Sequence, residues 1–171
     1  NAPSGRWLHG AVWTSTEMMI WGWRASFLPG ASRNDGGRYD PVLDSWTPIT
    51  TDAAPSARAE FAMVWTGSEM LVWGGVGDGN INFVTGGRYN PASNTWSPMN
   101  TNGAPRARLW PAAIWTGSEM IIWGGTYRTN FSTLCDNPIF NDGGRYNPIT
   151  DQWRPLSTND APPPAWMSVA V

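Results

Sequence analysis

The sequence predicts an all-β fold assembled from a repeated unit of four short strands. Three observations carry that expectation. Glu-Met, two apolar residues and Trp-Gly recur at 17–22, 69–74 and 119–124. Gly-Gly-Arg-Tyr recurs at 36–39, 86–89 and 143–146, and a Trp stands seven residues after each Tyr, as Trp46, Trp96 and Trp153. No stretch sustains the 3.6-residue periodicity of an amphipathic helix, so essentially no helix is expected.

The second unit shows each element best. A first strand over 61–65 ends at Thr66-Gly67-Ser68, where glycine supplies the positive φ of a tight hairpin. A second strand over 70–73 is closed by Gly74-Gly75, and a third runs over 87–90. It must stop at Pro91, which has no N–H to give to a ladder. The fourth centres on Trp96. A period of about 50 residues with four strands is the mark of propeller blades. The expected blades are 6–55, 56–105 and 106–163, with the first strand of a fourth at 164–171. Trp, Tyr and Gly that return in every unit are read as packing between neighbouring blades. Arg38, Arg88 and Arg145 are read the same way, because a single binding site would use one copy.

Composition narrows the chemistry. The 171 residues suggest one domain, 14% of them charged, with a net charge of −2 that offers no basic surface for nucleic acid. No run of 18 apolar residues is present to span a membrane. All 11 basic residues are Arg, which removes lysine Schiff-base and lysine-base chemistry. With one His (His9) and one Cys (Cys135), the chain can form neither an internal disulfide nor a usual zinc site. Asp78-Gly79-Asn80-Ile81-Asn82 opens like a calcium loop but lacks its Gly at position six and Glu at position twelve. No metal, no cofactor and no catalytic triad or carboxylate pair is expected.

The set Trp73-Gly74-Gly75, Tyr89 and Trp96, repeated three times, resembles the kelch family, in particular its bacterial galactose-oxidase-like central propellers. Unit one departs from it in having Trp23 at the second glycine. The resemblance implies blades packed face to face around a channel. Propellers close with ~4–8 blades, so three blades form an arc. The chain opens in a linker and stops within a strand at Val171, which suits a piece of a longer propeller. The alternative is a second copy of the chain completing the ring.

Function is expected where the units differ. Antiparallel strands place the turns between strands one and two, and between three and four, on one face of the ring. The loops between strands two and three, with the linkers between blades, lie on the other. The loops are expected at 23–35, 76–85 and 126–142, and unequal loops on a constant scaffold are where binding residues concentrate. Candidate ligand-binding residues are Trp23, Arg24, Asp78, Asn80, Asn82, Tyr127, Arg128, Asn130 and Phe131. Aromatic rings with amides and carboxylates suit a glycan, and Trp, Tyr and Arg also suit a protein partner. Phe27, Phe83 and Phe131 equally read as residues that tuck each loop against its blade. Candidate channel residues are Arg6, His9, Arg58, Glu60 and Arg108, which with Arg106 are expected to open onto the same face. In kelch relatives that bind acidic peptides, arginines of this face carry recognition. The leading expectation is a non-catalytic binding or scaffold propeller. The alternative is a fragment of a kelch-type sugar oxidase or epimerase whose catalytic residues lie mostly elsewhere, with His9, Arg6 and Glu60 as its local candidates. Galactose oxidase chemistry needs two His at copper, and this chain has one. The lysine-free, Trp- and Asn-rich composition fits a secreted or cell-envelope protein.

Overall fold

A computed structural model describes residues 2–24, 31–129 and 137–165. It contains three four-stranded antiparallel sheets, each a simple meander. Blade one is β1 (Gly10–Trp13), β2 (Met18–Arg24), β3 (Ser32–Asp40) and β4 (Ser45–Ile49). Blade two is β5 (Ala62–Trp65), β6 (Met70–Trp73), β7 (Gly86–Asn90) and β8 (Thr95–Pro98). Blade three is β9 (Ala112–Trp115), β10 (Met120–Trp123), β11 (Gly143–Asn147) and β12 (Gln152–Pro155). The strand expected after residue 164 lies mostly outside the described residues.

The turns explain the repeated residues. Thr14, Thr66 and Thr116 accept the amide N–H of Glu17, Glu69 and Glu119 on their hydroxyls at 2.9, 2.9 and 3.0 Å, which closes each first hairpin. Gly67 and Gly117 sit in these turns at φ 99° and 96°, whereas blade one holds Ser15 at φ 83°. A side chain there costs on the order of 1 kcal/mol. Ser15→Gly is therefore expected to raise unfolding free energy by about 0.5–1 kcal/mol. A urea titration checks this, with Thr16→Gly as the control.

The glycine pair that opens each third strand is set by close approach. A Cβ on Gly36, Gly86 or Gly143 would collide with the carbonyl of Ile20, Val72 or Ile122. A Cβ on Gly37, Gly87 or Gly144 would strike Pro3, Pro55 or Pro105, the prolines that start each blade. Asp40, Asn90 and Asn147 then cap the last turn by accepting the N–H of Val42, Ala92 and Ile149.

Blades join through two apolar clusters and a repeated set of polar links. Met19, Trp21 and Ile49 of blade one meet Met70, Val72, Tyr89 and Trp96 of blade two. Leu71, Trp73 and Met99 of blade two meet Met120, Ile122, Tyr146 and Trp153 of blade three. Trp21 lies 5.2 Å from Trp96, and Trp73 lies 5.2 Å from Trp153, as tilted ring pairs. The Trp96 and Trp153 indoles donate to the carbonyls of Thr50 and Asn100 in the preceding blade. Arg88 holds Glu69 of its own blade at 2.8 Å and donates to the Pro148 carbonyl of the next at 2.8 Å. Arg38 makes the same reach to Pro91. These recurrent arginines join blade to blade.

Two expectations need correction. A single 3-10 turn, Asp78–Asn80, interrupts the otherwise all-β chain, with Gly79 at φ 67°. The first loop does not begin at 23: Trp23 pairs with Arg33 and Arg24 with Ser32, beyond a bulge at Gly22 (φ 64°). The longer ladder uses backbone groups that a loop would have left unpaired.

Candidate functional site: the loop face

Three of the arginines expected to open onto the channel face are instead buried in the framework. Arg58 is 1% exposed and Arg108 is fully buried. Arg58 donates to the carbonyls of Ser56, Gly74 and Thr85 and to the Thr85 hydroxyl. Arg108 repeats this with the carbonyls of Arg106, Gly124 and Asp142 and the Asp142 carboxylate. Arg6 does so in reduced form, donating to the carbonyls of Ser4 and Asp35. Each guanidinium lies on an aromatic ring: Arg58 on Phe83 at 4.1 Å, Arg108 on Phe140 at 4.6 Å and Arg6 on Trp23 at 5.4 Å. The side chain thus ties the linker that enters a blade to both ends of that blade's loop. A planar fork with five donors suits such a cluster of carbonyls. Burial pushes the Arg58 guanidinium down to about 9, so it stays cationic at neutral pH. Arg106 is exposed.

The loop amides and carboxylates are also engaged. Asp78 accepts both the amide N–H and the hydroxyl of Ser32, at 3.2 and 3.0 Å, linking loop two to blade one. Asn82 forms a two-way clip with loop three: its amide donates to the Arg128 carbonyl at 2.8 Å, and its oxygen accepts the Arg128 N–H at 2.9 Å. Asn80, at φ 61°, gives its carbonyl to Asn82. The oxygens of the calcium-like segment therefore turn toward neighbouring blades rather than toward a common centre. Among the described residues, no three His, Cys, Asp or Glu side chains cluster to hold a metal.

Glu60 and Arg128 form an ion pair across the junction of blades two and three. The Arg128 Nη2 meets both Glu60 oxygens at 3.1 and 2.9 Å, with the side chains 1% and 4% exposed for Glu60 and Arg128. Arg128 also lies over the Trp110 ring at 5.5 Å. Glu60 has φ 62°, and Leu8 and Trp110 occupy the same place in the other blades at 55° and 49°. His9 is exposed, and partial burial followed by the Arg6 charge lowers its pKa below the usual imidazole value. Trp23 is buried, with its indole donating to Asp35 at 2.8 Å. Asn130 and Phe131, with Phe27 and Cys135, lie outside the described residues, and Arg24 is described only by its backbone pairing with Ser32.

Apart from Tyr127, what the loop face leaves exposed was not among the expected residues. Ile81, Val84, Tyr127 and Ile139 are 58, 37, 39 and 41% exposed, and Trp7 on the linker is 37% exposed. All but Trp7 lie on loops two and three, which the Asn82–Arg128 clip holds together. The largest cleft, about 560 Å³, lies on the opposite face and is lined by Thr66, Ser68, Glu69, Arg88 and Trp115. Its size does not make it the site. Arg88, Glu69 and Thr66 already bond within the scaffold, and similar turns form that face in every blade.

This framework, repeated blade by blade, agrees with a match over the full length: the sequence profile of the KLHDC2/KLHL20/DRC7 Kelch-repeats domain covers residues 1–171. The chain belongs to the kelch-repeat family. The match holds at the level of the kelch repeat and does not single out a galactose-oxidase-like type. No curated protein matches the chain. Kelch domains are typically protein-binding propellers. No helix among the described residues of this kelch domain is long and apolar enough to cross a membrane.

Proposed function

We propose that this kelch domain is a protein-binding scaffold that takes its partner on the loop face, centred on Ile81, Val84, Tyr127 and Ile139. The observation that carries the reading is a division of labour among the loop residues. Asp78, Asn82, Arg58, Arg108 and Arg128 are engaged in joining blades, while the apolar side chains between them face solvent. Aliphatic side chains beside a half-exposed tyrosine suit a protein surface. A sugar would need amide and carboxylate groups that Asn82 and Asp78 already use.

Photo-crosslinking tests this. A benzophenone side chain at Tyr127 is expected to trap a discrete protein, and unlabelled kelch domain should compete it away. The same group at Val42, an exposed turn residue of the other face, should trap nothing competable. Ile81→Asp should weaken capture at least about tenfold, the effect of losing roughly 1.4 kcal/mol at an interface, with the unfolding midpoint unchanged. Equal competable capture from Val42, or saturable binding of a glycan in place of a protein, would refute the loop-face reading.

A further inference from the structure

The outer faces of blades one and three carry the two halves of the junction that already joins the blades internally. In the described junctions, the earlier blade supplies Met19, Trp21 and Ile49, or Leu71, Trp73 and Met99. In blade three the same strand positions are Ile121, Trp123 and Leu156, all partly exposed. The later blade supplies Met70, Val72, Tyr89 and Trp96, or Met120, Ile122, Tyr146 and Trp153. In blade one those positions are Met18, Ile20, Tyr39 and Trp46, again partly exposed, beside Trp13 at 55%.

The polar links are matched in the same way. Asn94 and Asp151 each accept a tyrosine hydroxyl from their own blade and a backbone N–H from the blade before. Asp44 accepts the Tyr39 hydroxyl at 2.7 Å, and the N–H at the matching place is that of Ser157. The Trp96 and Trp153 indoles donate to Thr50 and Asn100; Trp46 and the Ser157 carbonyl are the corresponding pair. Arg38 and Arg88 reach the carbonyls of Pro91 and Pro148, and Arg145, 43% exposed against 18% and 23% for the other two, is set to reach that of Pro41.

We propose that blade three of one copy docks on blade one of a second copy, and the reverse, so that two arcs close a six-bladed ring. The occupant is a second copy because each open face has, in the same chain, the complement that the internal junctions use. Six blades fall within the ~4–8 at which propellers close. A head-to-tail contact that closes after two copies gives a two-fold ring with two identical junctions. Both loop faces then lie on one side of the ring, where a protein partner meets two copies of the Tyr127 surface.

Sedimentation velocity and native mass spectrometry of the 171-residue chain test this. The expected result is one species of twice the 18.8 kDa chain mass over a hundredfold range of concentration. Trp46→Arg and Trp123→Glu, made separately, are each expected to give a folded monomer, because each damages both junctions of its own dimer. Mixed one to one, they should restore a heterodimer, in which one junction is wild type and the other pairs Arg with Glu. If Trp46→Arg fails to fold, Asp44→Arg on the exposed turn replaces it. A wild-type monomer throughout, an open-ended ladder of larger species, a different protein bound to the arc, or a dimer that survives both variants would overturn the proposal.

Discussion

Arg58→Met and Arg108→Met are each expected to lower the unfolding free energy by about 3–5 kcal/mol. Each leaves two carbonyls behind in the folded blade, Gly74 and Thr85 or Gly124 and Asp142. A buried acceptor deprived of its donor costs roughly 1–3 kcal/mol. Loss of the stack on Phe83 or Phe140 adds on the order of 1 kcal/mol. Arg58→Lys should recover little, because one ammonium cannot serve carbonyls placed around a planar fork. Urea titration with an unchanged m-value is the measurement. The pH dependence has a definite sign. Burial lowers the folded-state pKa of Arg58 to about 9, below that of the unfolded chain, which therefore holds this proton more tightly. The group's contribution to stability rises only above about pH 9 and is flat through neutrality.

Glu60→Ala is the second large effect, a loss of about 3–5 kcal/mol, because it strands the Arg128 charge where the side chain is 4% exposed. Arg128→Met should cost a similar amount by orphaning the Glu60 carboxylate, which is 1% exposed. The double variant Glu60→Leu with Arg128→Met is expected to be more stable than either single variant, since an apolar pair leaves no buried charge. Leucine is compatible with the backbone at this place, as Leu8 holds the same positive φ in blade one. A double-mutant cycle in urea reads the coupling directly. Strict additivity would mean that the two side chains do not sense each other.

Much of this fold could be read from the sequence because its determinants are local and recur. Glycine and proline end the strands where a Cβ or an N–H would not fit, and the Trp–Tyr spacing reports a cross-strand pair such as Tyr89 and Trp96, whose rings lie 5.2 Å apart. The site was less legible because its polar residues look alike whether they face a ligand or the next blade. Asn82 and Arg128 are 46 residues apart, and nothing near either one reports their mutual clip. One signal was available. Counted back from the third strand, Phe83 and Phe140 both stand three residues before the first glycine, at Gly86 and Gly143, and both carry a buried arginine. Counting forward from the second strand had pointed to Phe131 instead. The exposure of Ile81, Val84 and Ile139 was hidden for another reason: an isolated aliphatic residue in a loop reads as packing until its neighbours are placed.

The central claim is that buried polar residues of the loop face build the propeller, while its exposed apolar residues are free to bind. Urea midpoints of Arg108→Met and of the triple variant Ile81→Ser, Tyr127→Ser, Ile139→Ser, taken side by side, test it most directly. The account predicts a loss of about 3–5 kcal/mol for the first and a change within about 0.5 kcal/mol for the second. A stable Arg108→Met beside an unfolded triple variant would contradict it.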